Sequence, residues 1–220
     1  MKWKVVNPLN NELLESITEV IRKAELGLDS IDNYYDELAQ GTCGTVYAIN
    51  EELVLKANDL VYSLKDVNDH IVLESLQGLP FVPTLYAYTP DGKYLIIQRI
   101  KGLTLWELEL NNNPYQFNYE ELKQQLKKFV AGCLERGWIP NDLHAGNVMA
   151  CPQGVYVVDY GYFRRCNNPA RMSSYRRMSM ECELDNLEEM LERVSKPSNC
   201  NSSHKKTVTV NFLTLSVLPQ

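Results

Sequence analysis

Apolar positions recur along this chain with two different periods, and the switches between them outline its elements. Leu13, Leu14, Ile17, Val20, Ile21 and Ala24 fall three and four apart, which predicts an amphipathic helix over residues 11–26. Residues 34–57 carry short alternating runs broken by glycines and predict two or three strands: a glycine-rich hairpin through Leu38 to Tyr47, then the short strand Val54-Leu55-Lys56-Ala57. Val67, Ile71, Val72 and Leu76 return to helical spacing over 65–77, and Pro80 and Pro83 close that helix. Thr84 to Tyr88 and Tyr94 to Ile100 read as strands joined by the turn Pro90-Asp91-Gly92. Gly102 marks a break. Leu122, Leu126, Phe129, Val130 and Cys133 stripe a helix over Glu120 to Arg136 that Gly137 stops. Val155 to Val158 form a strand, and Leu184, Leu187, Met190 and Leu191 predict a final helix over Glu183 to Val194. From Ser195 the chain turns linker-like, and Thr207 to Leu218 alternate in places like an edge strand or a mobile tail.

Strands concentrated early and helices later predict an α+β fold. With 220 residues, 45% of them apolar, the chain can bury a real core as one compact unit or two small lobes. A formal charge of −6 argues against nucleic acid as the main partner, since a phosphate backbone needs clustered lysines and arginines. Two local basic stretches, Arg164-Arg165 and Arg171 to Arg177, run against that balance. The six cysteines lie without a CxxC pair, which points to reduced thiols and a cytoplasmic setting. No signal core follows Met1, and no stretch is long enough to span a bilayer.

The chemistry-bearing residues gather in Asp142-Leu143-His144-Ala145-Gly146-Asn147 and Val157-Val158-Asp159-Tyr160-Gly161. Asn147 lies five positions after Asp142, so one tight loop can aim both at a single cleft, and Asp159 ends an apolar strand, a rigid mount for a metal ligand. This order suits phosphoryl transfer: Asp142 to take or orient the proton of an attacking hydroxyl, Asn147 and Asp159 to hold magnesium on nucleotide phosphates.

With these motifs the chain resembles the protein-kinase-like superfamily over about residues 35–194. It is similar in particular to short bacterial proteins described as serine/threonine protein kinases, which share the glycine loop, a stretch like Gln77-Gly78-Leu79-Pro80 and a Pro-x-Asp-x-His loop. The catalytic loop also resembles that of aminoglycoside phosphotransferases. The resemblance implies a two-lobed protein-kinase-like fold with an antiparallel-sheet N-lobe (35–101), a reduced helical C-lobe (102–194), a helical N-terminal extension (1–34) and a tail (195–220) of no assigned role. It implies ATP and Mg2+ as cofactors. Ala39-x-Gly41-x-x-Gly44-x-Val46 resembles the phosphate-binding loop, with Gly41 and Gly44 letting backbone amides approach phosphates, Val46 packing on adenine, and Ala39 standing where the family has a first glycine. Lys56, ten positions after Val46, corresponds to the phosphate-aligning lysine; its acidic partner is Asp69 or Glu74, with the alignment of apolar neighbours favouring Asp69. The backbone from Gln98 to Ile100 corresponds to the adenine-binding hinge. Asp185 resembles the helix aspartate that braces the catalytic loop. Pro140-Asn141 replaces the usual His-Arg before the catalytic aspartate, so activity is expected not to depend on phosphorylation of an activation loop. Three functions remain open at this point: a serine/threonine protein kinase, a kinase of a small sugar or amino alcohol, and a nucleotide-binding module without turnover.

Overall fold

The computed structural model describes residues 1–41, 44–59, 69–110, 116–166, 168 and 172–195. Its N-terminal half is built on a six-stranded antiparallel sheet of β1 (Lys4–Val5), β2 (Asp36–Gly41), β3 (Gly44–Ala48), β4 (Leu53–Asn58), β5 (Leu85–Tyr88) and β6 (Tyr94–Gln98), in the order β1-β5-β6-β4-β3-β2. Successive side chains of a strand point to opposite faces, and this sheet buries both. On one face α1 (Asn11–Glu25) sets Ile17, Val20 and Ile21 among Leu53, Leu55, Tyr94 and Ile96. Asn10 caps that helix by accepting from the Leu13 amide at 3.1 Å. On the other face Val54, Leu95, Ile97 and Leu85 pack with Val72, Leu73 and Leu76 of α2 (Asp69–Leu76). Lys56 follows Val54 by two and therefore faces the α2 side.

The same core continues into the second half, through α3 (Leu105–Leu110), α4 (Tyr119–Glu135) and α5 (Ser174–Ser195), which contribute Leu105, Leu108, Leu122, Leu126, Phe129, Leu187 and Leu191. Short strands complete it: β7 (Leu103–Thr104), β9 (Val148–Cys151) and β10 (Gly154–Val157) in the order β10-β9-β7, and a two-stranded ribbon of β8 (Trp138–Ile139) with β11 (Arg164–Arg165). The fold is thus mixed α and β with antiparallel sheets. Among the described residues no helix is long and apolar enough to cross a membrane, and Cys133, Cys151, Cys166 and Cys182 are free thiols.

Three ties fasten the far end of α2 to the helical half. Arg136 donates to the Ser75 and Gln77 carbonyls at 3.0 and 3.1 Å, occupying acceptors that the helix end leaves open. The indole of Trp138 donates to Ser75 Oγ at 2.6 Å. Leu79 lies over Gly132 of α4, where a Cβ would fall 2.5 Å from its methyl carbon. The segment after α2 is held as firmly: Phe81, with φ of 64°, offers its carbonyl to the Val157 amide at 2.8 Å and the Tyr160 hydroxyl at 3.3 Å.

Several elements depart from the sequence pattern. The first segment holds β1, an edge strand on β5, in addition to its helix. Helix α5 begins nine residues before the expected Glu183, because its first turns bury little besides Met180 and so carry no apolar period. Helix α3 hides in the alternating Leu103 to Leu110, where Thr104 and Glu107 form a reciprocal cap: Glu107 N donates to Thr104 Oγ1 at 3.2 Å and Thr104 N to Glu107 Oε2 at 2.7 Å. The start expected at 65 for the second helix and the strand-like stretch 207–218 lie outside the described residues.

Gly102 is a glycine because of close packing. A Cβ there would sit 2.0 Å from the Ala150 carbonyl oxygen, a backbone atom that no rotamer change can move. Gly102→Ala is expected to destabilise by about 3 kcal/mol, the upper part of the usual overpacking range. Thermal unfolding should register this as a drop of about 6–12 °C for a chain of this size.

Candidate functional site

Strand β4 presents Lys56 toward α2, and the first described residue of that helix, Asp69, meets it: the Lys56 ammonium and Asp69 Oδ2 form a short ion pair. Glu74, the other candidate partner, is engaged elsewhere, by Lys4 at 2.6 Å and by the Tyr88 hydroxyl at 2.6 Å. A helix face explains the choice. Glu74 lies five positions after Asp69, more than one turn away, on the side facing β1 and β5. Lys56 Nζ also reaches Asp159 Oδ1 at 3.3 Å, from a residue 103 positions later in the chain.

Burial works against the charge on Lys56, but Asp69 and then Asp159 outweigh it and hold the ammonium above the ordinary lysine range. Asp69 is 2% exposed. Burial raises its carboxyl above the usual range despite the lysine. Burial also opposes ionisation of Asp159, yet Lys56 and the Gly161 amide, which donates to Oδ1 at 3.0 Å, bring it below the ordinary value. Gly161 is squeezed between these acids: a Cβ would lie 3.1 Å from Asp69 Oδ1 and 3.4 Å from Asp159 Oδ1.

The second half of the site is the loop between β8 and β9. Asp142 adopts φ of 63°, an uncommon conformation for a residue with a side chain and more accessible to aspartate than to most. Asn147 holds it from both ends, with Nδ2 donating to the Asp142 carbonyl and to Asp142 Oδ2, each at 3.0 Å. Both partners are acceptors, so the amide nitrogen must face them and Asn147 Oδ1 must face away. The Asn147 carbonyl in turn accepts from Val158 N at 2.9 Å, extending the β9–β10 ladder by one step. Asn147 is thereby fixed beside the residue that precedes Asp159. His144 lies 3.8 Å from Asp142 Oδ1 and stacks on the exposed Trp106 of α3, ring centroids 5.3 Å apart.

The bracing residue is a correction to the sequence reading. Asp185 is exposed on α5. Glu183, two residues earlier and on another side of the helix, accepts from the Leu143 amide at 3.3 Å, directly behind Asp142. Its sequence signal is its place four residues before Leu187 and eight before Leu191, on the flank of the helix that those leucines bury.

The remaining expected positions frame the lysine. Val46 stands opposite Lys56 across β3 and β4, so both side chains share a face. Gly41 and Gly44 pair across the β2–β3 hairpin, whose turn at 42–43 lies outside the described residues. Among the described residues a Cβ on Gly41 would meet only the Gly44 carbonyl oxygen, at an ordinary 3.9 Å, whereas a Cβ on Gly44 would fall 2.3 Å from the Ala57 carbonyl oxygen. Gly44 is therefore required by the neighbouring strand whatever binds above it. In the expected hinge, the amides of Gln98 and Arg99 donate to the Thr84 and Glu52 carbonyls at 2.8 and 2.7 Å, and Gln98 Oε1 accepts from Thr84 N at 3.1 Å. Among the described residues Ile100 carries no such main-chain bond, which leaves it as the hinge position with backbone groups to offer.

Among the described residues no three His, Cys, Asp or Glu side chains gather as a metal cluster. Magnesium at a phosphate site does not need one, since it takes one or two protein oxygens and fills the rest with phosphates and water. Asp159 and the outward Oδ1 of Asn147 fit that donor set. The Lys56–Asp69–Asp159 group also holds one more carboxylate than ammonium, an imbalance that a cation would offset.

No protein-family model matches this chain, and no curated protein matches it.

Proposed function

We propose that this chain is an ATP- and magnesium-dependent phosphotransferase with a two-lobed, protein-kinase-like arrangement, acting on serine or threonine hydroxyls of a protein. One observation carries the reading: Lys56, Asp69 and Asp159 converge from three distant parts of the sequence, and Asn147 and Asp142 are locked together beside them. A structural ion pair would need one acid. Two acids around one lysine, next to an aspartate held in a strained backbone, suit a site that handles charged phosphates.

In this reading magnesium, when bound, would neutralise charge on the transferring phosphoryl group. Lys56 aligns the phosphates, and Asp69 keeps the lysine charged and pointed. Asn147 and Asp159 supply metal-facing oxygens, and the hinge at Ile100 supplies main-chain groups for the base. Asp142 receives the proton of the acceptor hydroxyl as its oxygen attacks the terminal phosphorus, while the bond to the leaving diphosphate breaks. Glu183 keeps Asp142 in position through the Leu143 amide and is a positioning residue.

The test is paired. Unfolding temperature is measured with ATP and magnesium, with each alone and after chelation, and labelled γ-phosphate is followed onto protein and small-molecule acceptors. The reading expects a rise in unfolding temperature that chelation removes, and label on protein serine or threonine. A rise without transfer to any acceptor would mark a nucleotide-binding module, and transfer only to sugars or amino alcohols would move the substrate class.

A further inference from the structure

Several cations of this acidic chain sit against glutamates. Lys4 holds Glu74, Arg22 holds Glu19, Lys93 holds Glu25, Lys101 holds Glu51, Lys123 holds Glu188 and Arg193 holds Glu109. Arg164, Arg165, Arg176 and Arg177 do not, and neither do the exposed Lys2, Lys127, Lys128 and Arg136; the four arginines differ in lying on adjoining elements. All four are exposed, and among the described residues none has an acidic partner.

The fold brings them to one edge, with Arg164 and Arg165, neighbours in a strand, on its opposite faces. Arg164 and Arg165 form β11, paired with Ile139 and Trp138 of β8. Arg165 lays its guanidinium over the Trp138 ring at 4.0 Å, which fixes its plane. Met180 of α5 packs with Ile139 and Cys166 of this ribbon. Arg176 and Arg177 precede Met180 by four and three residues and so share its flank of the helix one turn earlier. The edge also adjoins the loop of Asp142. Ile139, opposite Arg164, is three residues before Asp142, and Asn141 Nδ2 donates to the Tyr162 carbonyl at 3.3 Å.

We infer that Arg164, Arg165, Arg176 and Arg177 form a docking edge for an acidic polypeptide segment of the protein that presents its hydroxyl to Asp142. The inference rests on the phosphotransferase reading for the role of Asp142. Three residues of chain and one strand spacing put Arg164 no more than about 15 Å from Asp142, a span that an extended peptide covers in about five residues. The acidic side chain recognised by Arg164 therefore lies within about five positions of the acceptor hydroxyl. Arginine suits this task, because its planar fork matches a carboxylate with two parallel hydrogen bonds. Nucleic acid is the poorer fit, since the net charge of −6 surrounds the edge with repulsion along any longer phosphate track.

The experiment uses the full chain and fluorescence anisotropy, without nucleotide. The probes are a labelled serine peptide flanked by glutamates, its lysine-flanked counterpart and a single-stranded oligonucleotide of the same charge as the first. The glutamate peptide is expected to bind, to weaken as salt is raised, and to lose about tenfold or more in affinity for the triple variant Arg164→Glu/Arg176→Glu/Arg177→Glu, because like charges then face each other. If that variant does not fold, the exposed double variant Arg176→Gln/Arg177→Gln carries the same comparison with a smaller loss. Equal affinity in the variant, no binding of the glutamate peptide, or tighter binding of the oligonucleotide would overturn the inference. Unfolding temperatures with ATP and magnesium on the same samples separate the two claims. A nucleotide-dependent rise without peptide binding sinks only the docking edge, and peptide binding without that rise sinks only the phosphotransfer reading.

Discussion

Asp142→Asn is expected to raise its unfolding temperature with ATP and magnesium as the unaltered protein does, while phosphate transfer falls by about 10²–10⁴-fold, the range of a lost general base. The substitution keeps size and shape, so the Asn147 amide can still donate to the remaining side-chain oxygen and to the Asp142 carbonyl. The Glu183 contact to Leu143 N involves only backbone at the loop and is untouched. What changes is the ability to accept a proton, so the loss should appear in kcat with little change in KM for ATP. Undiminished transfer by this variant would remove Asp142 from the mechanism.

Asp159→Ala is expected to do the opposite to binding. It removes one of the two proposed metal oxygens and the acceptor for the Gly161 amide, and the rise in unfolding temperature with ATP and magnesium should vanish. Metal-borne charge stabilisation is worth several kcal/mol; about 4 kcal/mol would lower turnover by about a thousandfold. The protein without ligands should keep its fold, because the buried Lys56–Asp69 pair remains intact and is relieved of a nearby like charge. A persistent magnesium-dependent shift in this variant would place the metal elsewhere.

The sheet and the helices with strong apolar stripes were legible in the sequence because burial there follows a clean period: α1, α4, and β3 through β6 stand where Ile17, Phe129, Val54 and Ile96 predict. Elements held by something other than a stripe were not. The two-residue strands depend on partners far away in the chain, and α3 depends on the Thr104–Glu107 cap. The ionic part of the site was readable down to the preference for Asp69, because motif spacing encodes which residues a strand and the following helix can bring together. Asp185 failed because helical phase, set by where Leu187 and Leu191 bury, turns it outward and leaves the inward path to Glu183. The two loop glycines also differed in kind: among the described residues a Cβ on Gly41 would make only ordinary contact, while backbone crowding dictates Gly44, a distinction that only the neighbouring strand reveals.

Helix α2 has eight described residues, about 12 Å at the usual rise. Asp69 is its first described residue, and Arg136, Trp138 and Leu79 moor its other end. Over so short a span from that mooring, Asp69 has little freedom to swing away from Lys56. On the proposed reading the catalytic machinery is therefore assembled from the moment of folding, and restraint must come from outside it, through the supply of nucleotide and acceptor or through how long each copy of the chain survives.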